Sequence, residues 1–310
     1  MKNYSEITAQ LAAESVGFRC NVPLCDYTSF KIGGAAAVFA TPRNCDEVAA
    51  VMRLCARFDA PRFVLGRGSN LLVSDAGFDG VVIHIGAEFG SVCADGNLIT
   101  AGGGASLASA CRAALDNGLT GLEFCYGIPG SVGGGAVMNA GAYGGELGEV
   151  IRSIEYVDSD GQKHQKNRGE LEFSYRRSSL SEKGCTVTEV CFELQRGDKA
   201  AIKAKMDDIL ARRADKQPLN YPSAGSVFLR PEGHFAGALI EQAGLKGFTV
   251  GGAQVSKKHA GFIINVGGAT ASDVARLIEI IKNRVYADSG VMLQCEIKRL
   301  GSFAGCAESE

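Results

Sequence analysis

The sequence predicts a protein that mixes helices and strands and contains two or three domains. A chain of 310 residues is long for one hydrophobic core, since single cores stop growing near ~250 to 300 residues. Apolar side chains recur at helical spacing in residues 46–58 and 272–287. Short apolar runs, which are typical of strands, lie beside these helices. Helices and strands therefore follow one another along the chain.

The first part of the chain has a strand, helix, strand, loop, strand order. Residues 46–58 place Val48, Met52 and Cys55 on one helical face, and the acidic residues at the start suit a helix N-terminus. Apolar runs predict strands at residues 37–40, 63–65 and 81–85. We expect the first domain to end near residue 85.

The second part of the chain is predicted to be mostly extended. A helix over residues 106–117 precedes a long glycine-rich stretch. Residues 153–157 and 186–194 have strand character, and Ser159-Asp160-Gly161 is typical of a hairpin turn.

The third part opens with a predicted helix over residues 198–214. It also contains the strongly amphipathic pattern of residues 272–287, which lies between two apparent strands. The predicted domains are residues 1–85, 86–199 and 200–310.

The composition excludes several classes of function. A formal net charge of -2 gives no general attraction for nucleic acid or for anionic lipid. The N-terminal residues lack the apolar core of a signal peptide, and no run of ~18 apolar residues occurs. We therefore expect a cytoplasmic protein without a membrane partner. The eleven cysteines form no Cys-x-x-Cys pair and the four histidines lie far apart, so we expect reduced thiols and no metal site.

Glycine is the most unusual feature of the composition. The chain has 41 glycines, roughly double the usual ~7%. Where glycines cluster in a chain, they predict tight turns at which the backbone approaches a ligand. The glycines concentrate at residues 66–68, 102–104, 127–148 and 244–252.

The first glycine cluster follows a predicted strand and reads Gly66-Arg67-Gly68-Ser69-Asn70. A loop of this kind can direct successive backbone N–H groups at phosphate oxygens. It lacks the third glycine and the following helix of the dinucleotide-binding fingerprint. Taken alone, the loop is explained equally well by a tight structural turn.

The second cluster runs from Gly127 to Gly135 and continues from Met138 to Gly144. It is too long for one hairpin and too apolar for a disordered linker, so we expect an ordered, closely packed loop. Together with residues 32–34 it is suited to surround an extended nucleotide cofactor.

Three polar residues are the remaining candidates for a functional site. Arg176 by itself is typical of a solvated surface arginine, and Ser226 after glycine is typical of a turn. Glu296 lies in a predicted terminal strand, where an inward carboxylate needs a partner and an outward one faces water. No Gly-x-Ser-x-Gly elbow supports acyl transfer.

Taken together, these motifs resemble those of the UDP-N-acetylenolpyruvoylglucosamine reductases (UDP-N-acetylmuramate dehydrogenases). The resemblance covers nearly the whole chain, and its spacing is similar to that of the branch without the extra substrate-capping loop. The motifs are Ser29-Phe30-Lys31-Ile32-Gly33-Gly34, Gly66-Arg67-Gly68-Ser69-Asn70-Leu71-Leu72, Gly127-Ile128-Pro129-Gly130-Ser131-Val132-Gly133-Gly134, Asn139-Ala140-Gly141-Ala142-Tyr143-Gly144, Ser174-Tyr175-Arg176, Gly225-Ser226-Val227-Phe228 and Leu245-Lys246-Gly247.

The resemblance implies an α+β fold. It consists of two FAD-binding subdomains of the vanillyl-alcohol-oxidase (PCMH) type and a C-terminal substrate-binding domain. It also implies non-covalent FAD, NADPH as hydride donor and UDP-N-acetylglucosamine enolpyruvate as the small-molecule substrate, reduced to UDP-N-acetylmuramate for peptidoglycan. A monomer is expected.

The resemblance also assigns residues. It implies that Arg176 holds the substrate carboxylate, that Ser226 donates a proton, and that Glu296 hydrogen-bonds the developing charge. The implied cofactor-binding residues are Gly66, Arg67, Gly68, Ser69, Asn70, Gly127, Ile128, Pro129, Gly130, Ser131, Gly133, Gly134, Asn139, Gly141 and Ala142. The implied substrate-binding residues are Tyr175, Lys216, Arg230, Lys246 and His259.

Two alternatives to the reductase remain open from the sequence. Another FAD-dependent oxidase or dehydrogenase of the same fold keeps the glycine loops without needing Arg176, Ser226 and Glu296. A nucleotide-sugar-binding protein that retains FAD only structurally is the second.

Overall fold

The computed structural model describes residues 4–181 and 184–303. Helices and strands alternate through this part of the chain, so the predicted mixture is confirmed. The helices are α1 (Ser5–Ala13), α2 (Cys45–Arg57), α3 (Leu107–Asp116), α4 (Val132–Val137), α5 (Lys199–Lys216), α6 (Ala236–Gln242) and α7 (Ala271–Ser289).

The strands are short, and many have only two to four residues. They are β1 (Gly17–Pro23), β2 (Ala35–Thr41), β3 (Arg62–Leu65), β4 (Leu71–Val73), β5 (Phe78–His84), β6 (Val92–Asp95), β7 (Leu98–Gly102), β8 (Leu119–Thr120), β9 (Gly141–Ala142), β10 (Gly145–Glu146), β11 (Ile151–Val157), β12 (Lys163–Asn167), β13 (Phe173–Ser174), β14 (Arg177–Ser178), β15 (Thr186–Glu193), β16 (Gln195–Arg196), β17 (Ser223–Ser226), β18 (Thr249–Val250), β19 (Ala253–Val255), β20 (Phe262–Asn265) and β21 (Lys298–Leu300).

The chain forms two compact units. Among the described residues, the first consists of residues 4–20, 37–67 and 80–213, and the second of residues 21–36, 68–79 and 214–303. Residues 68–79 join the second unit because β4 pairs in parallel with β21. The predicted division into residues 1–85, 86–199 and 200–310 stays a prediction.

Helix α2 forms where the sequence predicts it. The Asn44 side chain caps its start by accepting a hydrogen bond from the Glu47 N–H group at 2.9 Å. Val48, Met52 and Cys55 are fully buried, as the helical periodicity requires. The helix packs in a core with residues of the sheet ordered β1-β2-β5-β3, in which β3 and β5 are parallel.

A five-stranded sheet is the second sheet of the first unit. Its strand order is β12-β11-β15-β7-β6, with antiparallel pairing between all neighbours. The predicted turn at residues 159–161 joins β11 to β12, and Gly161 adopts φ 78° there. The predicted hairpin is therefore confirmed.

The second unit places α6 and α7 in one core with a sheet ordered β17-β20-β19-β18. The prediction of a terminal strand around Glu296 is wrong in the position of that strand. Within residues 291–297 the structure has one isolated bridge, between Cys295 and Phe228, and β21 begins at Lys298. In this stretch, separate hydrogen bonds to the backbone or side chains of two neighbouring segments replace the continuous pairing of a strand.

Helix α7 begins against Asp75, which lies far away in the sequence. The carboxylate of Asp75 accepts hydrogen bonds from the Ala271 N–H at 2.7 Å, and from the N–H and hydroxyl of Ser272 at 2.9 and 2.7 Å. A carboxylate at a helix N-terminus satisfies N–H groups that have no partner in the helix and interacts favourably with the helix dipole.

Asp75→Ala is therefore expected to lower the free energy of unfolding by about 1 kcal/mol, the usual effect of losing a helix cap. Urea unfolding monitored by circular dichroism measures it. Asp95→Ala is the matched control, because Asp95 is exposed and ends a strand. An equal change in both variants would contradict a capping role.

Two further properties concern the described residues as a whole. No helix among them is both long and apolar enough to cross a membrane. Their ten cysteines form no disulfide bond with one another, and Cys306 lies outside the described residues. Within the same ranges no group of three or more His, Cys, Asp or Glu side chains is placed to hold a metal ion.

Candidate functional site

The loop from Gly66 to Asn70 carries the chain from the first unit into the second. Gly68 adopts φ 58°, and a Cβ there would lie 2.2 Å from the Tyr27 carbonyl oxygen, so the position requires glycine. The N–H groups of Arg67, Gly68 and Ser69 donate to no protein acceptor in the part of the chain that the structure describes. Unpaired successive N–H groups are what a phosphate-binding loop offers.

The stretch from Gly127 to Gly144, which is expected to be an ordered and closely packed loop, contains a short helix. Residues Val132–Val137 form the short helix α4, which Ser131 caps by accepting a hydrogen bond from the Gly134 N–H at 3.3 Å. The Gly133 N–H donates to the Gly103 carbonyl at 2.8 Å. The N–H groups of Gly133 and Gly134 are therefore used within the protein.

The glycines of α4 are explained by packing. A Cβ on Gly133 would lie 3.0 Å from the Gly103 carbonyl oxygen, and one on Gly135 would lie 3.0 Å from a methyl group of Leu147. A Cβ on Gly66 would lie 2.4 Å from the Ser131 hydroxyl oxygen. The first and second glycine clusters thus meet at Gly66 and Ser131.

Arg176 lies in a two-residue turn between β13 and β14. Its backbone is left-handed, with φ 58°. Its Nη1 atom donates to the Gly141 carbonyl at 3.0 Å, so the structure brings Arg176 beside the segment that contains Gly141 and Ala142. Tyr175, the other turn residue, is 57% exposed and its ring lies 5.6 Å from the Arg176 guanidinium carbon.

Arg213, which no sequence motif indicated, lies near Arg176. It is 6% exposed, and its Nε atom has no hydrogen-bond partner among the described residues. Burial lowers the pKa of Arg213 and the nearby charge of Arg176 acts in the same direction, while Tyr143 and Cys125 act against it. Its guanidinium lies 5.2 Å from the Tyr143 ring.

A buried guanidinium with an unbonded N–H group can hold an anion. A Cβ on Gly127 would lie 3.0 Å from the Arg213 side chain, which links the arginine to the second glycine cluster. The sequence contains one available signal, since Arg213 continues the helical face on which Ile202, Met206 and Ile209 lie. That signal is weak without knowledge of burial.

Asn139 has a different environment from the one expected of a cofactor ligand. It is 1% exposed, and its Oδ1 accepts a hydrogen bond from the Gly148 N–H at 2.8 Å. Its Nδ2 donates to the Ser174 carbonyl at 3.0 Å. Both polar atoms of this side chain are thus bonded to the protein backbone.

In the second unit, the structure brings Ser226 and Glu296 onto neighbouring segments. The Glu296 N–H donates to the carbonyl of Val227 at 2.8 Å, directly after Ser226. Gly225, immediately before Ser226, adopts φ 77°, at a register shift in the pairing of β17 with β20. Both Ser226 and Glu296 are partly exposed.

Asn70 also contacts the Glu296 segment. Its Nδ2 donates to the Glu296 carbonyl at 3.3 Å, and its own carbonyl accepts from the Lys298 N–H at 3.0 Å. The parallel pairing of β4 with β21 begins directly after these bonds. A residue expected to bind cofactor therefore positions the backbone of a residue expected to be catalytic.

Three cationic side chains expected at the substrate lie in the second unit, together with His259. Lys216 is the exposed last residue of α5. The Arg230 guanidinium lies 4.0 Å from the Phe235 ring centre. Lys246 forms a 2.6 Å ion pair with Glu241.

His259 is half-buried, and the structure defines its tautomer. Burial lowers the pKa of His259, and the charge of Lys246 lowers it further. Its Nδ1 accepts a hydrogen bond from the Gly261 N–H at 3.1 Å. The neutral imidazole therefore carries its proton on Nε2, which can donate to an anionic oxygen.

Comparison with known proteins gives two matching family models. One is described as "UDP-N-acetylenolpyruvoylglucosamine reductase, C-terminal domain" and matches residues 217–300. The other is described as "FAD binding domain" and matches residues 36–165.

Curated relatives and a solved structure match almost the whole chain. The chain is 48% identical over 281 residues to UDP-N-acetylenolpyruvoylglucosamine reductase of Clostridium novyi (strain NT), covering 91% of both proteins. It is 47% identical over 279 residues to that of Clostridium perfringens (strain SM101 / Type A), covering 90% of the chain and 91% of the relative. The crystal structure of UDP-N-acetylenolpyruvylglucosamine reductase from Thermus caldophilus matches with a TM-score of 0.79 and 35% identity, covering 92% of the chain and 99% of that protein.

Proposed function

The chain belongs to the UDP-N-acetylenolpyruvoylglucosamine reductase family, and from this premise we propose how its residues carry the reaction. It reduces UDP-N-acetylglucosamine enolpyruvate to UDP-N-acetylmuramate with FAD and NADPH, in the synthesis of peptidoglycan precursors. The α+β class with an FAD-binding fold of the vanillyl-alcohol-oxidase type is confirmed.

The residues present fit FAD. The unpaired N–H groups of Arg67, Gly68 and Ser69 are suited to its pyrophosphate. The packed glycines around Ser131 and the buried cation of Arg213 supply a close backbone surface and a positive charge. When bound, FAD supplies the hydride chemistry between NADPH and the enolpyruvyl double bond.

Arg176 is proposed to hold the substrate carboxylate. Hydride addition to C3 of the enolpyruvyl group builds negative charge on that carboxylate, and a fixed guanidinium stabilises it. The hydrogen bond from Arg176 to the Gly141 carbonyl fixes one end of the guanidinium. A guanidinium held in this way is suited to pair with a carboxylate.

Ser226 is proposed to give a proton to C2, with Glu296 hydrogen-bonding the developing charge. The observation that carries this proposal is the 2.8 Å bond from the Glu296 N–H to the Val227 carbonyl, which aligns the two segments. A serine hydroxyl is a weak acid in water, so the strongly basic intermediate has to draw the proton from it.

Cationic residues of the second unit are proposed to bind the UDP pyrophosphate. Lys216 and Lys246 supply charge, the Nε2–H group of His259 supplies a neutral donor, and Arg230 lies against an aromatic ring. Tyr175, which is exposed beside Arg176, is proposed to contact the sugar.

We further propose that the protein is a monomer in the cytoplasm, where NADPH and nucleotide sugars are available. Gel filtration of the purified protein tests the monomeric state.

A stopped-flow experiment tests the proposed function. The yellow holoenzyme is expected to bleach with NADPH and to recover its colour when the enolpyruvyl sugar nucleotide is added without oxygen. Recovery with oxygen but not with the sugar nucleotide would favour an oxidase of the same fold. A protein that stays yellow with NADPH would favour a nucleotide-sugar-binding protein in which FAD is structural.

A further inference from the structure

The turn that carries Arg176 is held by a frame of neighbouring backbone. We call residues 173–178, which form β13, β14 and the turn between them, the arginine hairpin. Its second strand is tied by the Ser178 hydroxyl, which donates to the Val137 carbonyl at 2.8 Å. Its first strand is tied by Asn139 Nδ2, which donates to the Ser174 carbonyl at 3.0 Å.

Asn139 is suited to this place by both its backbone and its side chain. It adopts φ 43°, a left-handed conformation that asparagine tolerates better than most residues. Its side chain accepts from the Gly148 N–H at 2.8 Å and is 1% exposed. A Cβ on Gly148 would lie 3.1 Å from Asn139 Oδ1, so the space for this bond depends on glycine.

The Gly148 peptide is itself firmly held. Arg168 Nε donates to the Gly148 carbonyl at 2.6 Å, and the Arg168 guanidinium lies 4.9 Å from the ring of Phe173, the first residue of the arginine hairpin. Asn139 therefore connects a fixed peptide on one side to the Ser174 carbonyl on the other. The next two residues form the turn that carries the guanidinium.

We propose that Asn139 is a positioning residue for Arg176, and that it acts on the substrate half of the reaction through the arginine hairpin rather than by touching FAD. The inference rests on the proposed role of Arg176. Its physical basis is that a displacement of about 1 Å in a charge-stabilising group costs roughly 10²-fold in rate. Without the hydrogen bond to the Ser174 carbonyl, the first strand of the arginine hairpin is less constrained. The turn that follows it, in which Arg176 has a left-handed backbone, is then less constrained as well.

The test uses Asn139→Asp in the FAD-loaded full-length enzyme. Aspartate keeps the acceptor for the Gly148 N–H but replaces the donor to Ser174 with an oxygen. We expect reduction of FAD by NADPH to stay within about twofold, and reoxidation by the enolpyruvyl sugar nucleotide to slow by roughly 10- to 100-fold. Asn117→Asp is the matched control, because Asn117 Nδ2 also donates to a backbone carbonyl, that of Ala113, at 2.8 Å.

A double-mutant cycle separates positioning from general destabilisation. In an Arg176→Lys background, Asn139→Asp is expected to slow reoxidation by less than about threefold, because residues that act through one another are not additive. Asn139→Gly keeps the left-handed backbone and introduces no charge. It is also expected to slow reoxidation less in the Arg176→Lys background than in the otherwise unchanged enzyme. An equal loss in both backgrounds, or an equal loss in FAD reduction, would overturn the proposal.

The same cycle distinguishes this inference from the function on which it rests. If Arg176→Lys alone leaves reoxidation by the sugar nucleotide unchanged, the proposed role of Arg176 fails. If Arg176→Lys slows reoxidation but Asn139→Asp does not, only the positioning role fails.

Discussion

Ser226→Ala is expected to lower the rate at which the sugar nucleotide reoxidises the enzyme by roughly 10²- to 10⁴-fold, the usual contribution of a positioned proton donor. Reduction of FAD by NADPH is expected to stay nearly normal, because that half of the reaction requires no proton from this hydroxyl. Stopped-flow absorbance measures the two halves separately. The midpoint temperature of thermal unfolding should change little, since Ser226 is partly exposed.

Ser223→Ala is the matched control for this variant. Ser223 begins the strand that Ser226 ends, and its carbonyl, which the substitution retains, accepts the hydrogen bond from the Ser29 hydroxyl at 2.6 Å. The control should keep both half-reactions. Loss of FAD reduction in Ser226→Ala would instead indicate a defect in folding or cofactor binding, and full turnover would exclude Ser226 as the proton donor.

Glu296→Ala is expected to reduce turnover by roughly 10²- to 10³-fold, the range measured for removal of one charge-stabilising hydrogen-bond donor. Glu296→Gln is expected to keep about tenfold more activity than the alanine variant, because an amide can still donate a hydrogen bond. Neither change should move the backbone, since the N–H and carbonyl of Glu296 are bonded to Val227 and Asn70. Steady-state kcat with saturating NADPH measures both.

Glu232→Gln serves as the control for charge removal, because Glu232 is an exposed residue of the same unit. It should leave kcat unchanged. Equal losses in Glu296→Gln and Glu296→Ala, with FAD reduction intact, would contradict a hydrogen-bonding role and favour a requirement for the carboxylate charge.

Local sequence signals predicted several elements well. The periodicity of residues 46–58 and the acidic first turn correspond to α2, and Ser159-Asp160-Gly161 corresponds to the turn between β11 and β12. Both are determined by interactions within a few residues, namely a helix cap, an apolar stripe and a glycine with positive φ.

The sequence was less informative where long-range contacts decide the structure. The segment around Glu296 reads as a strand, yet its backbone bonds go to Val227 and Asn70 rather than into one ladder. The burial of Arg213 depends on the elements packed around it, so its unbonded Nε atom could not be identified from the residue type.

By itself, the sequence determined the amphipathic helices, the hairpin turn and, through its motifs, the identities of the candidate catalytic residues. Only the tertiary structure decided that Val132–Val137 is a helix, because a Val-Gly-Gly-Gly-Ala-Val segment has poor helix propensity, at about 1 kcal/mol for each glycine relative to alanine. That helix depends on the close approach of Gly133 to the Gly103 backbone, where a larger residue would not fit. Packing against distant residues therefore overrides the local preference of the chain.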